Sequence, residues 1–183
     1  MTEPVARSAP SHGLCVHEVL DPGSHVRGGV LLRQSEEVTS LISKIAEEQG
    51  AELTLTEPSL LRRESLGLSE EGAFQCFSYR RRTGLRLSLL GDYQLRNASA
   101  VLDAVDILKE EGVTIPEDAV QSGLSKVRWP GRFELLSRSP LILLDGAHNP
   151  DGAAAMTESL RSLLPGRKID FLMGVMRDKD YRE

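Results

Sequence analysis

Leu141-Ile142-Leu143-Leu144-Asp145-Gly146-Ala147-His148-Asn149-Pro150-Asp151-Gly152 is the stretch that decides how this chain is read. Four apolar residues run without a polar break, and a carboxylate, a glycine, a histidine and an asparagine follow at once. A short apolar run bounded by turn residues reads as a buried strand. Asn-Pro and Asp-Gly are turn chemistry. Ala153, Ala154, Ala155 and Met156 then open a helix. Asp145 and His148 therefore fall at the carboxyl end of a strand, just before a helix. In open α/β sheets that crevice is where ligands bind.

Downstream, the helix over 151–164 stops at Pro165-Gly166, and Ile169 to Val175 reads as a further strand. The alanines and Met173 and Met176 are taken as packing residues. The chain then stops at Arg177-Asp178-Lys179-Asp180-Tyr181-Arg182-Glu183, which is only the beginning of a doubly wound sheet and looks cut. Upstream, Phe133 to Leu136 is a strand. Trp129-Pro130-Gly131-Arg132 interrupts a helical pattern, so a domain boundary is placed there.

Further back, Ala98, Val101, Leu102, Val105 and Leu108 repeat at helical spacing up to Gly112. Ile115-Pro116-Glu117-Asp118 starts another helix, with proline at a tolerated first position and acids in the first turn. Phe74 to Tyr79 and Leu85 to Leu90 form a hairpin around Arg80-Arg81-Arg82-Thr83-Gly84, and the three arginines are taken as its solvated tip. Residues 57–72 are polar and mixed, and read as loop. Gly28 to Leu32, a helix capped by Ser35 and ended by Gly50, and Ala51 to Leu55 make a parallel βαβ unit. In that helix Val38, Leu41, Ile42, Ile45 and Ala46 turn one face to a core. Leu14 to Leu20 can be a strand, and residues 1–13 read as a disordered lead-in.

The composition limits the function classes. The chain has 183 residues, 40% hydrophobic and 27% charged, with a net charge of -5. That is ordinary for a soluble protein and supplies no global basic field for nucleic acid. No apolar run reaches the roughly 18 residues of a membrane span. The N-terminus lacks the apolar core of a signal peptide. Cys15 and Cys76 lie far apart without metal-ligand spacing, which fits buried thiols in a reduced, cytoplasmic setting. His12, His17 and His25 likewise show no ligand spacing.

Three constellations carry chemistry, each beside a plainer reading. Asp145 can accept hydrogen bonds from ribose hydroxyls and His148 can donate to a phosphate oxygen, or Asp145 and Asn149 simply satisfy backbone amides before a helix. Arg132, held by a Pro-Gly turn, suits phosphate because its planar fork binds oxygens in pairs, or it is a linker arginine in solvent. Asn97, early in a helix, can read an adenine edge with its donor and acceptor, or it bonds its own backbone.

Read together, Gly91-x-x-Gln94-x-x-Asn97-Ala98, Trp129-Pro130-Gly131-Arg132, Asp145-Gly146-Ala147-His148-Asn149-Pro150 and Asp178-Lys179-Asp180 stand in a familiar order and spacing. The chain resembles folylpolyglutamate synthase / dihydrofolate synthase, of the Mur ligase superfamily, over nearly all of its length after about residue 25. The resemblance implies an α/β fold: residues 14–128 as the later part of a central ATPase domain, and 129–183 as the first part of a Rossmann-like glutamate ligase domain. It implies an ATP- and Mg²⁺-dependent enzyme, cytoplasmic and monomeric, bound to neither nucleic acid nor membrane. Such an enzyme joins L-glutamate to a folate or dihydropteroate carboxylate through an acyl phosphate. By the same resemblance Asn97 lies against the adenine, Arg132 reaches the phosphates, Asp145 binds the nucleotide and His148 lies beside that contact as a possible auxiliary.

The departures are as informative. No Gly-x-x-x-x-Gly-Lys-Ser/Thr pattern occurs in the chain. The family's magnesium-binding glutamate and histidine and its carbamylated lysine have no counterpart here, so no metal ligand is assigned. Tyr93 stands where the family has histidine. The expectation is a fragment without turnover of its own. The competing readings are a noncatalytic remnant or interaction module, and another Mur-family amino-acid ligase.

Overall fold

A computed structural model describes residues 28–69 and 72–174. The expected lead-in over 1–13, the strand Leu14–Leu20, Cys15, His12, His17, His25, Met176 and the Asp178-Lys179-Asp180 element lie outside these residues. The fold is mixed α/β.

The first unit is the expected parallel crossover. Strand β1 (Gly28–Leu31) pairs in parallel with β2 (Glu52–Leu55), and helix α1 (Glu36–Glu48) connects them. Ser35 caps α1 by accepting from the Val38 amide, Glu36 and Glu37 complement the helix dipole, and Gly50 leaves it at a φ of 65°. The apolar face of α1 is not turned to a core: Val38, Leu41 and Ile45 are exposed, and no residue of α1 is buried. Periodicity records that a face is apolar, not that the described residues supply its cover.

A three-stranded meander follows, with β3 (Leu61–Ser69), β4 (Gly72–Tyr79) and β5 (Arg82–Leu87) in antiparallel order. The expected loop over 57–72 is therefore corrected to a single 3-10 turn, Pro58–Leu60, and a long edge strand. Ladder hydrogen bonds to β4 define β3, and its side chains from Arg62 to Leu66 stay exposed, so no apolar alternation marks it.

Helices α2 (Asp92–Glu110) and α3 (Glu117–Lys126) cover the meander. Phe77, Tyr79, Leu85 and Leu87 from the sheet meet Leu95, Ala98 and Leu102 of α2 and Val120 and Leu124 of α3. Val101 and Leu108, expected on that face, are exposed, and Pro116 is the N-cap of α3 rather than its first residue.

The arginines of the hairpin are corrected as well. The Arg82 guanidinium is 6% exposed and forks to two carboxylates: Nη1 and Nη2 reach Asp106 at 2.9 and 2.6 Å, and Nε and Nη2 reach Glu117 at 3.0 and 2.9 Å. Arg80 donates to Asp103, which also accepts from the buried Tyr79 hydroxyl at 2.7 Å. Only Arg81 stands out in solvent, over Asp106. Three cations at a tip are solvated unless acids on a neighbouring helix come to them, and α2 brings two.

The last unit is a pair, β6 (Glu134–Arg138) with β7 (Leu141–Leu144), followed by α4 (Pro150–Leu163). Strand and helix fall where expected, but Leu141, Ile142 and Leu144 are exposed rather than buried. No strand forms over 169–174, where Phe171, Leu172 and Met173 are exposed, and Val175 lies outside the described residues. Both corrections have one cause: a strand is defined by its neighbours, and among the described residues β7 has β6 alone beside it. Ala153 and Ala154 face solvent too, and Cys76 is half-buried. No described helix is long and apolar enough to cross a membrane.

Leu90, Phe133 and Leu160 form a second core with Tyr93, Leu135, Leu143 and Met156. It joins α4 to the start of α2. Arg63 reaches Asp92 at 2.6 Å and Ser162, and Arg96 reaches Glu158 at 3.4 Å. Gly91, at a φ of 99°, lets the elements close: a Cβ there would meet the Tyr93 ring at 2.8 Å and Ser159 Oγ at 3.0 Å.

Candidate functional site

All four residues singled out in the sequence line one cavity of about 480 Å³. Asn97 comes from α2, Arg132 from the turn before β6, and Asp145 and His148 from the turn between β7 and α4. The far wall is Leu32 to Ser35 with Thr56, at the ends of β1 and β2. The cavity thus opens at the carboxyl ends of β1, β2 and β7, beside the first turns of α1 and α4, where backbone N–H groups and helix dipoles favour anions.

Two backbone contacts fix Arg132. The Gly146 amide donates to Gly131 O at 2.7 Å, and the Phe133 amide donates to Asp145 Oδ2 at 2.7 Å. The residues on both sides of Arg132 are therefore clamped to the Asp145 turn. Phe133 sits buried at a φ of 50°, a left-handed conformation that a bulky residue adopts only under constraint. Its carboxylate partner supplies that constraint. The Arg132 guanidinium lies 5.7 Å from the centre of the Trp129 ring. Among the described residues no carboxylate comes within ion-pair distance of it, so its donors face the cavity.

Asp145 does both things the sequence allowed. Oδ1 accepts from the Ala147 amide at 2.8 Å, while Oδ2 takes the Phe133 amide and the Tyr93 hydroxyl, the latter at 3.4 Å. A carboxylate has about four lone-pair sites, so Oδ1 keeps one for a ligand hydroxyl. Asn149 is accounted for by capping: it accepts from the Gly152 amide at 2.8 Å and starts α4. His148 holds Nδ1 2.9 Å from Gly146 O, so the proton sits on Nδ1 and Nε2 is left for the cavity. Asn97 does not bond its own backbone; its amide nitrogen donates to Gln94 Oε1 at 3.2 Å.

The sequence named Tyr93 and Gln94 without giving them a role. Burial pushes the Tyr93 phenol up to about 12, with the Asp145 charge adding to the shift and a hydrogen bond from Gln94 opposing it. Gln94 is buried within the cavity wall. The signal available was the helical i, i+3 spacing of Gln94 and Asn97. Trp129, quoted only as part of a turn, contributes an exposed ring to the same wall.

With the geometry in place, the comparisons with known proteins can be set against it. Residues 131–183 match the family "Mur ligase, glutamate ligase domain". The chain is 35% identical over 99 residues to the dihydrofolate synthase/folylpolyglutamate synthase of Bacillus subtilis, covering 54% of this chain and 23% of that protein. It is 38% identical over 112 residues to the folylpolyglutamate synthase of Lacticaseibacillus casei, covering 58% and 26%. Among solved structures, Mycobacterium tuberculosis folylpolyglutamate synthase, complexed with ADP and AMPPCP, matches with a TM-score of 0.59 and 26% identity over 73% of this chain and 30% of that one. Fold and motifs define a Mur ligase relative. Within that superfamily the chain belongs with the folylpolyglutamate and dihydrofolate synthases, and it spans about a quarter of the length of the curated relatives it matches.

Proposed function

We propose that this chain is the adenine-side half of the ATP site of an enzyme that joins L-glutamate to a folate or dihydropteroate carboxylate. The observation that supports this reading is the convergence of Asn97, Arg132, Asp145 and His148 on one cavity of ligand size. In this reading Asn97 holds the base and Asp145 Oδ1 accepts from a ribose hydroxyl. Arg132, clamped by its neighbours, offers its fork to phosphate oxygens with His148 Nε2 beside it. When bound, ATP supplies the phosphoryl group that turns the acid into an acyl phosphate, from which the amine of glutamate displaces phosphate. Placing cations where charge gathers lowers that barrier without rearrangement during the reaction.

Among the described residues no group of three His, Cys, Asp or Glu side chains could hold a metal ion. These residues therefore do not fit Mg²⁺, and no step is assigned to it here. The division at residues 128 and 129 and a cytoplasmic, monomeric parent are part of the same proposal. So is the absence of nucleic-acid or membrane partners, which the net charge of -5 favours.

The single tryptophan, Trp129, lines the cavity and reports on it directly. ATP titrated into the chain is expected to quench Trp129 fluorescence saturably, with no phosphate release in the presence of dihydropteroate and glutamate. Fluorescence unchanged up to millimolar ATP would overturn the nucleotide reading.

A further inference from the structure

A chain of hydrogen bonds runs from Asp145 to Asn97 across the cavity wall, and its direction is forced from one end. An ionised carboxylate only accepts. The Tyr93 hydroxyl has one proton, and at 3.4 Å from Asp145 Oδ2 it gives that proton to the carboxylate. The phenol oxygen is then an acceptor, and Gln94 hydrogen-bonds it. That bond uses the Gln94 amide nitrogen, so Gln94 Oε1 points the other way. Oε1 in turn accepts from the Asn97 amide nitrogen at 3.2 Å. The only arrangement of Asn97 consistent with the whole chain leaves Oδ1 and the second Nδ2 proton for the cavity that Asn97 lines.

We propose that Tyr93 and Gln94 are positioning residues that lock the Asn97 amide in one orientation, so that the site takes a 6-aminopurine nucleotide and turns away its 6-oxopurine counterpart. This rests on the nucleotide reading above and goes a step further. The exocyclic amino group of a 6-aminopurine donates to Asn97 Oδ1 while a ring nitrogen accepts from Nδ2. In a 6-oxopurine the exocyclic oxygen meets Oδ1 instead, acceptor against acceptor. A freely rotating asparagine would escape that clash by flipping its amide; one bonded to Gln94 cannot do so without breaking the chain. Burial of Gln94 raises the cost of breaking it, since a lost partner inside the wall has no water to replace it.

The test titrates ATP and inosine triphosphate against Trp129 fluorescence in the unaltered chain and in Tyr93→Phe, with circular dichroism confirming the fold. A well-paired base edge discriminates by one to three kcal/mol, so the unaltered chain is expected to prefer ATP about thirtyfold. Tyr93→Phe removes the proton that sets the direction and keeps the ring; the preference should fall below about threefold, chiefly through tighter binding of inosine triphosphate. A purely structural role for Tyr93 would weaken both nucleotides alike and leave the ratio unchanged, which overturns the inference. So does an unaltered chain that binds ATP without preference, and this outcome leaves the nucleotide reading standing. Quenching by neither nucleotide overturns both.

Discussion

Two arginines at tight turns, Arg82 and Arg132, show how the same side chain is put to opposite uses. Arg82 spends its fork inside the protein, on Asp106 and Glu117, at the junction of β5, α2 and α3. Arg132 is held just as firmly, but through its backbone neighbours, and its guanidinium has an aromatic face beside it instead of acids. The first arrangement consumes the charge and the second displays it. A cation that the protein positions and does not neutralise marks a place where an anion is expected from outside.

The largest effect that would test this contrast is on stability. Arg82→Ala leaves Asp106 and Glu117 facing each other across a buried gap. It should cost about 3 kcal/mol in urea unfolding, since breaking one side of a buried pair strands the other. Arg132→Ala should leave the unfolding midpoint within about 0.5 kcal/mol of the unaltered chain while weakening ATP binding by about 2 kcal/mol, as expected for charge-assisted bonds to phosphate. Equal losses of stability in the two variants would erase the distinction.

The smallest effect is the most specific. Arg82 and Lys109 hold the Glu117 carboxyl down at about 2, from 4.5. A depressed folded-state value means that the stabilisation is complete above pH 4.5 and is lost as pH falls towards 2. Glu117 is half-exposed, so solvent screening trims the contribution to roughly 1 kcal/mol. Glu117→Gln should therefore flatten the acid limb of stability between those pH values and change nothing about nucleotide binding. An unaltered acid limb would mean that Asp106 alone balances Arg82.

Much of the fold was legible because its signals are local. The Ser35 cap, the Gly50 stop, the helical run to Gly112 and the Asn-Pro start of α4 each need only a few neighbouring residues. The site residues were legible for the same reason: a carboxylate and a histidine after an apolar run, an arginine after Pro-Gly, an asparagine at a helix start. What failed was whatever another element supplies. Strand β3 exists because β4 pairs with it, and its polar sequence carries no sign of that. The burial of Arg82 depends on acids 24 and 35 residues away. Val38, Leu41 and Leu141 are apolar in sequence and exposed in the structure, because an apolar face is a property of the residue and cover is a property of the neighbours.

The Asp145 turn divides along the same line. By itself the sequence determined that a carboxylate and a histidine would follow β7 and precede α4, since strand, Asn-Pro cap and helix are written in adjacent residues. Only the tertiary structure decided what they would do there. It brought Phe133 and Tyr93 onto Asp145, pinned Arg132 between two clamped neighbours and linked Tyr93 through Gln94 to Asn97. Those contacts span from 12 to 52 residues of chain. Hydrogen-bond geometry across such separations is fixed by packing of the second core and not by local preference.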